Sequence, residues 1–240
     1  MIDILIKPLF AGLITAVLFA PGPPPWAWVN DFVGQPQQYN LSCEIRSATD
    51  VANFWEIPVS EDTLIAMLPR SDDPNLGFLG DINAPAGSLP PVGYGVYANP
   101  VAYLLRRAGL KAEPHRDFDL EKVKEELAQG HPVIIWGTYG MQQVEIQQWT
   151  TQLGRTVPVA QWEHSFVVVG YDESGIQLID AYDATSQYYD YETFLNGWNL
   201  LNRMAVTVSG YQKPETAITV REKDGVLQFF WREETFLGPW

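Results

Sequence analysis

The chain has 240 residues, 46% of them hydrophobic and 13% aromatic, with one cysteine, three histidines and a formal net charge of -14. That apolar content supports a sizeable core and excludes disorder, and the acidic balance excludes nucleic acid as a partner, since phosphate backbones would be repelled. One cysteine forbids an internal disulfide, and so few histidines leave no set for a structural zinc site, so neither a metal nor an organic cofactor is expected.

The N-terminal 25 residues form a unit of their own. Pro8 to Ala20 is an uncharged apolar run, preceded by Lys7 and followed by PGPPPW, which predicts a signal-like or membrane-anchor segment and a Pro-rich linker over residues 1–25. Thirteen residues are short for a bilayer span, which takes about 20. Export to the cell envelope or beyond is expected, a buried N-terminal helix being the alternative.

From there to about residue 130 the signals are mainly helical, and beyond it mainly those of strands, an order that predicts an α+β domain over residues 26–210. Ile45, Ala48, Ala52 and Trp55 recur at helical spacing from a start between Asn40 and Ser42, so a helix begins at Cys43. Ser60 caps a second helix that Pro69 ends. Asn99 and Pro100 open a third, closed by Gly109, and Asp117 or Asp119 starts a fourth, closed by Gly130. The Gly- and Pro-rich stretch Ser71 to Ala98 reads as an ordered surface loop. PVIIWGTY, EHSFVVVGYD and GIQLIDAYD follow as central strands, the last two joined by a turn at Glu173-Ser174-Gly175. Between the first two, Met141 to Gln161 predicts a long β excursion or loop. YETFLNGWNLLN reads as a further helix, and residues 211–240 as a β-hairpin extension turning at Lys223-Asp224-Gly225.

Cys43, in the first turn of a helix, meets unpaired amides and the positive end of the helix dipole, both of which favour a thiolate. A nucleophilic thiol needs a histidine beside it and an acceptor that holds that histidine in the useful tautomer. His164 opens an apolar strand and can project into a cleft, whereas His115 and His131 sit in polar, loop-like settings. Asp180 closes the next strand, sixteen residues on. A tight turn centred near Ser174 would instead set Asp183 opposite His164, and a bulge at Gly170 would shift that register, so both carboxylates are candidates. Gln37, six residues before Cys43, could point a side-chain amide at an oxyanion, as could its neighbours Gln35 and Gln38.

A glutamine six residues before a cysteine at a helix start, then EHSFVVVGYD, then an aspartate sixteen residues past the histidine resembles the papain-like fold, and in particular family 39 of cysteine peptidases, the bacteriocin-processing (double-glycine leader) peptidase-like family. QPQQYNLSCE, VSEDTLIAMLP, DDPNLGFLGD, YGVYANPVAYLL, GHPVIIW and FLNGWNLLNR fall in the order of its exported bacterial members, covering about residues 35 to 210. The resemblance implies Cys43 as nucleophile, His164 as general base, Asp180 as orienting acid and Gln37 in the oxyanion hole. It implies a helical N-terminal half packed on an antiparallel C-terminal sheet and a peptide or protein substrate; a monomer is expected. Ala181 stands where the family commonly has proline after the acid. With neither a transmembrane bundle nor a phosphate-binding loop, cleavage of double-glycine leaders is not implied. The expected activity is that of a cysteine peptidase, with an acyl or peptidyl transferase and an inactive exported binding module as the alternatives.

Overall fold

The computed structural model describes residues 22–213 and two further strands at 219–223 and 226–230. The predicted N-terminal segment falls almost wholly outside the described residues, as do Asp224 and Gly225 of the predicted turn. Among the described residues no helix is long and apolar enough to cross a membrane.

The first half is helical. A short strand β1 (Ala27–Trp28) precedes α1 (Cys43–Phe54), α2 (Glu61–Met67), β2 (Leu79–Gly80), β3 (Gly93–Gly95), α3 (Ala98–Arg107), β4 (Leu110–His115) and α4 (Leu120–Ala128). Ser60 caps α2 by accepting the amide of Thr63, and Asp119 caps α4 by accepting that of Glu121, each satisfying an amide with no partner in its own helix. The stretch read as one surface loop contains the β2–β3 pair.

The second half builds the sheet. It runs through β5 (Val133–Thr138), β6 (Ile146–Thr150), β7 (Thr156–Ala160), β8 (Glu163–Tyr171), β9 (Gly175–Asp180), β10 (Ser186–Asp190), α5 (Tyr191–Asn199) and β11 (Ala205–Tyr211), with β12 (Thr219–Lys223) and β13 (Val226–Phe230) paired apart from it. The central sheet has the order β10-β9-β8-β5-β11-β4, all antiparallel, with β1 on the end of β8 beyond the reach of β5. The predicted excursion between β5 and β8 is the hairpin β6–β7.

Helix α1 lies against β8, and the hydroxyls of Ser47 and Ser165 meet between them at 3.0 Å. The core is continuous from Ile45 and Val51 of α1 through Trp136, Phe166 and Leu178 of the sheet to Phe194 and Trp198 of α5. A fully buried side chain such as Phe166 or Leu178 contributes about 1.5–3 kcal/mol. The indole N–H groups of Trp136 and Trp198 donate to the carbonyls of Val96 at 3.0 Å and Met204 at 2.9 Å, so neither ring leaves a polar atom stranded in that core.

Candidate active site

The order of pairing in β8 and β9 decides which aspartate meets His164. Near the turn Tyr171 faces Ile176 and Gly170 faces Gln177, but beyond it Val168 faces Leu178 and Phe166 faces Asp180, a shift of one residue at Val169. Without that bulge Asp183 would stand opposite His164, as the simple turn predicts. With it, His164 and Asp180 become diagonal neighbours on one face of the sheet. Gly170, at the end of that bulge, has no side chain because Trp28 of β1 packs over it: a Cβ there would lie 2.0 Å from the Trp28 ring.

His164 Nε2 is 2.6 Å from Asp180 Oδ1, and the two residues are 6% and 1% exposed. Asp180 also accepts the amide of Tyr182 at 2.8 Å and the Gln187 side-chain amide at 2.8 Å. Burial alone would raise the carboxyl's pKa, but the His164 partner and these two donors outweigh it and hold the carboxyl below its ordinary value. The bond through Nε2 leaves Nδ1 as the ring nitrogen without a bonded partner among the described residues. The ring is boxed by Tyr139 and by Phe166, whose centroids lie at 5.7 Å and 4.8 Å. Asp183, by contrast, is exposed and accepts only from Thr185 in a local turn.

Cys43 is the first residue of α1 and is 5% exposed. Its thiol donates to Glu44 Oε2 at 3.3 Å. Burial pushes the thiol's pKa well up, the carboxyls of Glu44 and Glu163 push it further, and the Ser165 backbone amide works the other way.

Cys43 and His164 line one cleft of about 200 Å³ with Gln37, Gly87, Tyr94, Tyr139, Trp162, Glu163 and Tyr182. Gln37 sits on a loop tied on both sides: its own amide donates to Ala181 at 2.9 Å, the amide of Gln35 to Asp50 and that of Gln38 to Glu61. Arg46 bridges the two acids, 2.5 Å from Asp50 and 3.4 Å from Glu61. The Gln37 side chain donates to the carbonyls of Tyr39 and Asn40 at 2.7 Å and 2.9 Å, while its Oε1 is buried without a partner. An oxyanion would compete with those two carbonyls for its N–H groups. The histidines set aside in the sequence are elsewhere, His115 at 2.8 Å from the Thr207 hydroxyl and His131 at 2.8 Å from Glu126.

Several cleft residues escaped the sequence reading. Tyr94 belongs to the Gly- and Pro-rich stretch that reads as a surface loop, and its hydroxyl meets that of Tyr97 at 2.9 Å and accepts the amide of Ala160 at 3.0 Å. Glu44 and Glu163 each sit beside a candidate catalytic residue in sequence, as Cys43-Glu44 and Glu163-His164, and that pairing was the available signal.

An α-helix that presents a cysteine at its first residue, facing a sheet that presents a buried His-Asp pair in the same cleft, is the architecture of the cysteine-peptidase-like class. Residues 29–206 match the Peptidase_C39-like family, and the chain belongs to that family. It is 31% identical over 185 residues to the uncharacterized protein YvpB of Bacillus subtilis (strain 168), spanning 72% of this chain and 70% of that one. Its fold superposes on a C39-like protein from Bacillus anthracis with a TM-score of 0.70 at 20% identity, covering 78% of this chain and 99% of the other, so the two share a fold. A double-glycine motif protease from an AMS/PCAT transporter, solved with a leader peptide, aligns over 76% of this chain and 97% of its own with a TM-score of 0.45 and 15% identity.

Proposed function

We propose that the protein is a cysteine peptidase that hydrolyses peptide bonds, with Cys43 as nucleophile, His164 as general base and acid, Asp180 as orienting acid and Gln37 as an oxyanion donor. The observation that carries the reading is the buried bond of 2.6 Å between His164 Nε2 and Asp180. It leaves Nδ1 for a thiol that shares the cleft and sits at a helix N-terminus. In the proposed reaction the thiol proton passes to His164 Nδ1 and the sulfur attacks the substrate carbonyl carbon. The oxyanion is met by the Cys43 backbone amide and by the Gln37 side chain, once that side chain exchanges a carbonyl partner for it. His164 returns the proton to the leaving amine as the C–N bond breaks, and water then cleaves the thioester with His164 taking its proton. The cleft, about 200 Å³, is lined by the Tyr94, Tyr139, Trp162 and Tyr182 rings, against which a peptide side chain can pack. The apolar N-terminal run supports export as the setting for this activity.

Incubation with a mixed peptide library, with mass spectrometry of the products, tests the reading. Cleaved peptides with the wild type and none with Cys43→Ser support it, and no cleavage by the wild type under reducing conditions counts against it. An added amine acceptor distinguishes hydrolysis from transfer, since a transferase would give conjugated rather than free carboxyl ends.

A further inference from the structure

Two carboxyls lie beside the proposed nucleophile, and neither takes part in the proposed hydrolysis. Cys43 Sγ, one oxygen of Glu44 and one of Glu163 all lie within 4.8 Å of one another. Glu44 is wholly buried and both its oxygens are engaged: Oε1 accepts the Val96 amide at 2.6 Å and Oε2 the Cys43 thiol at 3.3 Å. The chain makes room for it at Gly95, where a Cβ would stand 2.1 Å from Glu44 Oε1 and 3.2 Å from Glu163 Oε2. Glu163 Oε1 is buried with no hydrogen-bond partner. The titratable groups around the pair are Cys43, the hydroxyls of Tyr94 and Tyr97 and, lining the same cleft as Cys43 and Glu163, His164; neither carboxyl forms an ion pair with a lysine or arginine among the described residues. A buried carboxylate beside a part-buried one, with no cation next to either, is costly, and a shared proton relieves that cost.

We propose that Glu44 and Glu163 form a carboxyl pair sharing one proton beside Cys43, and that this pair positions the thiol and sets the alkaline limit of its reactivity. While the proton is shared, the pair places one negative charge beside the sulfur. When the proton leaves, it places two, and the thiolate is disfavoured. Burial raises Glu44 to about 7. Burial and the charge of Glu44 raise Glu163 well above its ordinary value. The fall in reactivity therefore lies near neutrality, on the alkaline side of the step that charges the Cys43-His164 pair. Glu44 and Glu163 are positioning residues here, since they act through the sulfur and touch no substrate.

The inference rests on the peptidase reading only in taking Cys43 as the group whose reactivity is measured. The test is the pH profile of Cys43 alkylation by iodoacetamide in the wild type, Glu44→Gln and Glu163→Gln. Glutamine at position 44 keeps an acceptor for the Val96 amide, and the second variant stands in if the first fails to fold. Wild-type reactivity should fall between about pH 6 and about pH 8, and both variants should lose that fall and gain on the order of tenfold at the alkaline end, tenfold corresponding to one unit in the thiol pKa. A second readout needs no catalysis: at about pH 6 the infrared carbonyl stretch of protonated carboxyls should be weaker in each variant than in the wild type, over the Asp50 contribution that all three share, and the difference should fade by about pH 8. Profiles and spectra in both variants that match the wild type, with alkylation still dependent on His164, would overturn the pair and leave the peptidase reading standing. The variant-sensitive band present in a His164→Ala background, with wild-type Cys43 behaving as an ordinary thiol, would support the shared proton, overturn its control of the thiol, and sink the peptidase reading.

Discussion

Replacing Asp180 with asparagine removes one negative charge and almost no volume, so its effect isolates what that charge does for His164. Asp180 Oδ1 takes the imidazole at 2.6 Å and the Tyr182 amide at 2.8 Å, and Oδ2 takes the Gln187 amide at 2.8 Å. An asparagine that keeps its oxygen toward His164 turns its N–H groups onto Gln187, which is also donating, and Gln187 must rotate away from its bond with the Tyr189 hydroxyl at 2.6 Å. What remains at His164 is a neutral hydrogen bond of about 0.5–1.5 kcal/mol in place of a charged one of about 1.5–3 kcal/mol. The difference of about 1–2 kcal/mol falls on the imidazolium, which corresponds to a loss of about 5- to 30-fold in Cys43 alkylation at mildly acidic pH. Rates of carboxamidomethylation followed by mass spectrometry measure this directly. Asp183→Asn is the control and should leave the rate unchanged, because its carboxylate serves only Thr185. Equal rates for wild type and Asp180→Asn, or a larger loss for Asp183→Asn, would refute the reasoning.

Three further outcomes follow from the same geometry. Burial raises Glu44 to about 7 and Asp50 to about 6, the latter despite Arg46, whereas unfolded carboxyls titrate near 4. The folded state therefore holds protons that the unfolded chain has released between about pH 4 and about pH 7, so thermal midpoints should fall as pH rises through that window. Below about pH 4 the sign reverses, since Asp180 is held low and its contribution is lost on protonation; a midpoint that climbs from about pH 5 to about pH 7 contradicts this. Arg46→Met leaves Asp50 and Glu61 buried without their cation and should cost about 3–5 kcal/mol in urea unfolding, loosening the loop that carries Gln37; a loss under about 1 kcal/mol would show the cluster to be dispensable. Gly170→Ala drives a methyl into the Trp28 ring and should cost about 1–3 kcal/mol by the same measurement, whereas an unchanged midpoint would show that β1 yields freely.

How much of this was legible in the sequence depends on the length scale of the signal. The start of α1 at Cys43, the Ser60 cap of α2 and the central strands β5, β8 and β9 are local patterns of capping and hydrophobicity, and the structure has them where the sequence puts them. Strand β4 was missed because Leu110-Lys111-Ala112-Glu113-Pro114-His115 carries two charges and a proline, a composition that only an edge strand tolerates, and β4 lies at the edge. Strand β1 is two residues long and owes its pairing to β8 rather than to its own composition. The choice between Asp180 and Asp183 turned on a one-residue bulge, which Gly170 hinted at but which only the pairing of β8 with β9 fixes. Glu44 and Glu163 were invisible as a pair because 119 positions separate them, and their meeting depends on α1 docking against β8.

The most direct test of the central claim is the pH dependence of Cys43 alkylation by iodoacetamide in the wild type and in His164→Ala. Burial and two carboxyls push the thiol's pKa up, so reactivity well below the free-thiol range that depends on His164 points to the imidazole across the cleft. The account predicts fast modification at mildly acidic pH that collapses in the variant. A thiol that reacts only on the alkaline side, to the same extent with and without His164, would contradict it.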